Sequence, residues 1–117
     1  MRPSEIRVRR ASRLIEVDFE DGSRFSLPAE LLRVLSPSAE VQGHSAMERK
    51  VVPGKCNVGL SSVEPIGHYA VRILFDDGHD TGIYTWDYLY EVGRDQEQLW
   101  ATYLNELDSK GFSREPR

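Results

Sequence analysis

One turn motif occurs twice in this chain, and it constrains the fold more than any other feature. Phe19-Glu20-Asp21-Gly22 returns 56 residues later as Phe75-Asp76-Asp77-Gly78. Asp-Gly accepts the positive backbone angles of a tight type I′ hairpin turn. Apolar residues alternate ahead of each copy, as half-buried strands require. Ile6 and Val8 share one side of residues 5–10, and Ile15, Val17 and Phe19 share one side of 14–19. Tyr69, Val71, Ile73 and Phe75 do the same before the second copy. Residues 24–27 and 80–84 then return as strands, and each leads into a short helix. The first helix is expected over 29–35, with Pro28 at its first position and Leu31, Leu32 and Leu35 facing inward. The second is expected over 86–92, capped by Thr85 and ended by Gly93. A two-residue insertion in the second copy pairs Leu31 with Leu89.

This grammar predicts an α+β fold, with two β-hairpin-plus-helix (ββα) units forming a mainly antiparallel sheet. A further strand is expected over 58–63, before a Pro65-Ile66-Gly67 turn. A C-terminal helix follows at about 96–109: Asp95 and Gln98 have capping-box spacing, and Leu99, Trp100, Tyr103, Leu104 and Leu107 form one apolar stripe. Gly111 ends it, and residues 113–117 read as a frayed tail. A chain of 117 residues fits one domain (1–117), with its repeat-bearing core over about 5–93.

Charge and cysteine content narrow the classes of function. No apolar run reaches the roughly 20 residues that span a bilayer, and Met1 to Glu5 lack a signal peptide's apolar stretch. The single cysteine, Cys56, forms no intramolecular disulfide, and the expected compartment is the cytoplasm. The net charge of −4 hides an asymmetry. Residues 1–13 carry five arginines against Glu5, whereas residues 76–97 carry seven acids against Arg94. A basic strand in an acidic protein without a recognition motif is the solvated face of a sheet, so nucleic acid is not an expected partner.

Catalytic motifs are lacking. Gly-x-Ser-x-Gly, phosphate-loop and Gly-x-Gly-x-x-Gly patterns do not occur, and no histidine is fixed beside Cys56 in sequence. His44, His68 and His79 are widely spaced, without the His-x-x-x-His of a helical zinc site or the His-x-Asp/Glu of a facial triad. His79 is the one to follow. It comes directly after a turn carrying Asp76 and Asp77, where carboxylates could orient the ring or a divalent cation could bind. The competing reading is an exposed hairpin end with solvated charges. Tyr84, Trp86 and Tyr88 could form a recognition patch. On a helix Trp86, Leu89 and Tyr90 would face the core, which leaves Tyr88 the best exposed candidate. Residues 36–57 form a long segment without readable periodicity.

Three stretches carry a family resemblance: 32–44 (Leu-Arg-Val-Leu-Ser-Pro-Ser-Ala-Glu-Val-Gln-Gly-His), Gly67-His68-Tyr69-Ala70-Val71, and Phe75 to Leu89 with its Asp-Gly-His, Gly-Ile-Tyr, Trp and Leu string. Together they resemble the gamma-butyrobetaine hydroxylase-like N-terminal domain, which includes small bacterial proteins of unknown function. The resemblance implies a domain that, in the hydroxylase, precedes an iron- and 2-oxoglutarate-dependent catalytic domain. It also implies a zinc held by three cysteines and a histidine, and a likeness to a domain attached to some iron–sulfur carrier ATPases. The zinc histidine would fall on His79, and the cysteine positions would fall on Ser36, Ser38 and Val41. Hydroxyls and a valine do not replace thiolates, so the family's zinc site and the catalytic domain are both expected to be absent.

The expected role is therefore a non-enzymatic accessory or protein-binding module acting with an oxygenase or iron–sulfur system, with a protein partner and no cofactor. The alternative is a metal-binding protein that holds iron or zinc through His79, Asp77 and His44.

Overall fold

The computed structural model describes residues 2–38 and 50–116. Strands β1 (Pro3–Arg9), β2 (Leu14–Phe19) and β3 (Arg24–Pro28) form one antiparallel sheet in that order. Strands β4 (Leu60–Ile66), β5 (Ala70–Phe75) and β6 (Gly82–Thr85) form a second. Helix α1 (Ala29–Val34) follows β3, α2 (Trp86–Arg94) follows β6, and α3 (Gln96–Ser109) comes last. The α+β class is as expected. Each unit brings its own first strand, so the repeat is three strands and a helix on two separate sheets.

The central strands carry the core because both of their edges are paired. Ile15, Val17 and Phe19 of β2 and Val71, Ile73 and Phe75 of β5 are buried, together with Leu31, Leu32, Tyr84, Leu89 and Val92. Strand β4 runs on through Pro65, where a turn was expected, and Pro65 pairs with Val71. Proline is tolerated there because β4 is an edge strand with no ladder on its other side. Tyr69 leaves the predicted strand as well. It lies in the turn before β5, 56% exposed.

The repeated turn has the same geometry in both places. Phe19 N–H donates to Ser23 (2.8 Å) and Phe75 N–H to His79 (3.0 Å). Ser23 N–H reaches Asp21 Oδ1 at 2.9 Å, and His79 N–H reaches Asp77 Oδ1 at 3.1 Å. Gly22 and Gly78 have φ of 90° and 91°. A type I′ turn needs two consecutive positive angles, and only the glycine has one. Both are therefore three-residue loops that close on a left-handed glycine.

The helix ends depart from the sequence reading in three places. Pro28 closes β3 as the extended N-cap residue of α1, one position earlier than expected. Gly93 lies inside α2 instead of ending it, and a Cβ there would sit 2.4 Å from the Phe25 ring. Asp95 makes no capping bond to α3, because its carboxylate is taken by Arg94 at 2.9 and 3.0 Å. Thr85 does cap α2, accepting from Tyr88 N–H at 3.1 Å.

The tail is docked, not frayed. Gly54 N–H donates to Ser113 O (2.9 Å) and Cys56 N–H to Arg114 O (3.0 Å). The Arg114 guanidinium makes two bonds to Glu30 on α1, at 2.7 and 2.9 Å. No helix among the described residues is long and apolar enough to cross a membrane.

Candidate functional site

The second turn is exposed at Asp76, Asp77 and Gly78, but its last residue, His79, turns inward. His79 is 7% exposed, and its Nε2 lies 2.8 Å from Ser36 Oγ and 3.4 Å from Ser38 Oγ. The serines stand just past the end of α1, and Ser36 Oγ also accepts from Ser38 N–H. Gly82 makes the approach possible, because a Cβ on it would come within 2.5 Å of Ser36 Oγ. The fold thus brings together His79, Ser36 and Ser38, the positions marked by the family resemblance. Val41 and His44 lie outside the described residues.

Asp77, also proposed as a ligand, is engaged elsewhere. Its carboxylate meets Arg33 at 2.8 Å and Lys55 at 2.7 Å. Burial alone would push this carboxyl up, but the Lys55 ammonium, the His79 backbone N–H and the Arg33 guanidinium outweigh it and hold it down at about 2. Arg33 Nη1 is buried and has no hydrogen-bond partner among the described residues.

Among the described residues this donor set does not fit a zinc or iron ion. It offers two neutral hydroxyls and one imidazole, and the nearby carboxylate already neutralises part of two positive charges. Among the described residues no group of three His, Cys, Asp or Glu side chains is placed to hold a metal. The Ser36–His79 contact has the spacing of a nucleophile and its base. Ser36 is 0% exposed, however, so a substrate atom cannot reach its Oγ while the turn is closed.

The aromatic segment divides in two. Tyr84 is fully buried, and its hydroxyl donates to Leu32 O; burial drives its phenol well above the usual range. Tyr88, the residue expected to be most exposed, is half-buried and donates to Leu35 O. Both hydroxyls satisfy carbonyls at the end of α1, which removes Tyr84 from any surface patch and ties Tyr88 down. Trp86 is different. Half-buried, with Nε1 donating to His68 O at 2.7 Å, it lines a shallow cleft of about 350 Å³ with Arg2, Tyr69, Thr85 and Asp87. Sequence reading missed Tyr69, since its place in the alternation concealed a turn.

The arginines of β1 are committed to their own sheet. Arg7 pairs with Asp18 at 3.1 Å and with Glu16 and Glu5, while Arg9 pairs with Glu16. The strand is thus half-neutralised, in keeping with a solvated sheet face.

Residues 6–90 match the family described as gamma-butyrobetaine hydroxylase-like, N-terminal. One solution NMR structure is 52% identical, with a TM-score of 0.87 over 99% of this chain and 91% of that one. A second is 45% identical, with a TM-score of 0.84 over 98% and 86%. A crystal structure from Acidithiobacillus ferrooxidans ATCC 23270, of a protein of unknown function in the DUF971 family, is 43% identical. It has a TM-score of 0.67 over 79% of this chain and 92% of that one. No curated protein matches the chain.

Proposed function

This chain belongs to the gamma-butyrobetaine hydroxylase-like N-terminal family, and from that premise we propose that it is a non-enzymatic protein-binding module, an accessory to an oxygenase or iron–sulfur system. One observation carries the reading: the side chains able to do chemistry are spent on internal bonds. Ser36 and His79 bond each other, and Asp77 is held by Arg33 and Lys55. What the second unit offers outward is Trp86 beside the exposed Tyr69. An amphipathic aromatic pair in a shallow cleft suits a protein surface better than a small substrate.

The test is affinity capture from native lysate on the immobilised chain, with Tyr69→Ala as the control. The expected outcome is one reproducible partner that Tyr69→Ala loses. Failure to recover any reproducible partner would sink the reading. Stoichiometric iron or zinc in untagged protein, lost on His79→Ala, would replace it with metal binding.

A further inference from the structure

Glu30 is a buried carboxylate in the first turn of α1, 8% exposed, and it is filled from outside its own unit. Arg114 meets it with Nε on Oε2 at 2.9 Å and Nη2 on Oε1 at 2.7 Å. The same guanidinium lies 5.2 Å from the centroid of the Trp100 ring on α3. A carboxylate fork in the plane of the group and an indole against its face are the two contacts that suit a guanidinium better than an ammonium.

The two halves of this arrangement are unequally anchored. Glu30 and Trp100 sit on helices packed into the body, whereas residues 111–116 are all exposed. The strap therefore buries little apolar surface and is held chiefly by polar contacts, the Arg114 pair and the Gly54–Ser113 and Cys56–Arg114 backbone bonds, which an incoming segment can replace. The receptor, by contrast, cannot stay empty: a buried carboxylate stripped of its cation is strongly destabilising. Beside it opens a cleft of about 630 Å³, lined by Pro28, Leu31, Gln96 and Glu97 as well as Glu30 and Trp100. Glu97 adds a second negative charge there, while Arg94, also on the wall, is neutralised by Asp95.

We propose that Glu30 and Trp100 form a receptor for an arginine-bearing, extended segment of a partner protein, and that Arg114 occupies it in cis until such a segment displaces the strap. The exchange replaces one guanidinium with another, so the buried carboxylate stays paired throughout. The cleft takes the residues flanking the incoming arginine. This site is separate from the Trp86 cleft, and its test does not depend on that surface.

Cys56 reports the exchange. Its N–H is held by Arg114 O at 3.0 Å, and its thiol, pushed up by burial and the Glu115 carboxylate, donates to Glu115 at 3.6 Å. Strap release uncovers the thiol and removes that carboxylate, so alkylation by iodoacetamide accelerates. The probe is acetyl-Ser-Arg-Glu-Pro-amide, and the same peptide with Ala for Arg is the control. Titrated into the full chain, the arginine peptide is expected to speed Cys56 alkylation and the control to leave it unchanged. Full-length Arg114→Ala, freed from the intramolecular competitor, is expected to bind the arginine peptide at least about tenfold more tightly by tryptophan fluorescence. Adding Glu30→Gln to that variant is expected to abolish binding. A folded Arg114→Ala that ignores the arginine peptide, or binds both peptides equally, overturns the proposal. Should that variant not fold, an unchanged alkylation rate in the native chain at saturating peptide overturns it equally.

Discussion

His79 and Asp77 are two residues apart in one turn, and their surroundings give them different work. The histidine goes inward to Ser36, while the aspartate is caught between Arg33 and Lys55. Asp77 titrates near 2, below the usual carboxylate value, so its ion pairs contribute fully above about pH 4 and are lost as pH falls through about 2. In urea denaturation, native protein is expected to be more stable than Asp77→Asn at pH 6, and the gap should close as the solution is acidified toward that value. A gap of constant size down to pH 2 would mean that these pairs contribute nothing that protonation can remove. The crowding of imidazole and carboxylate was visible in Asp76-Asp77-Gly78-His79. What was not visible was who answers them, since Ser36 lies 43 residues from His79 and Arg33 lies 44 from Asp77. Local sequence cannot tell a solvated residue of a turn from a docked one when partners such as Ser36 and Arg33 are that distant.

Secondary-structure elements were more legible, because their causes are local. Alternation located β2 and β5, and Thr85 marked the start of α2. Gly93 was misread for a reason of scale: it reads as a helix stop, but it is there because Phe25 crosses α2 at that point. Gly93→Ala is therefore expected to destabilise. Overpacking against the ring costs about 1–3 kcal/mol, more than the ~1 kcal/mol that alanine returns in helix propensity. Thermal melts decide it, and a raised Tm would mean that Phe25 yields freely. The twin turns make a matched pair of predictions. Gly22→Ala and Gly78→Ala both force a side chain to φ near 90° in open space, so each should cost about 1–3 kcal/mol, and similar amounts. A large effect at one turn and none at the other would show that the likeness of the loops does not extend to their energetics.

At the scale of the molecule, each unit's turn is held by the other unit's helix. Tyr90 on α2 donates to Asp21 at 2.7 Å, and Arg33 on α1 reaches Asp77 at 2.8 Å. Tyr90 also stacks edge-on against Phe19 and Phe25, and Tyr84 and Tyr88 hold the last carbonyls of α1. With both sheets sharing one core, urea unfolding followed by far- and near-ultraviolet circular dichroism is expected to give coincident single transitions. A plateau between two transitions would mean that the units melt separately. The repeat in sequence revealed that there are two units; their crossing was hidden, because it is written in contacts between halves. The crossing also limits how such a chain can be divided. Each half carries a carboxylate with one partner that travels with the other half, so either one, cut free, would lose that contact. The two copies are legible one at a time, but they can be inherited, expressed or discarded only together.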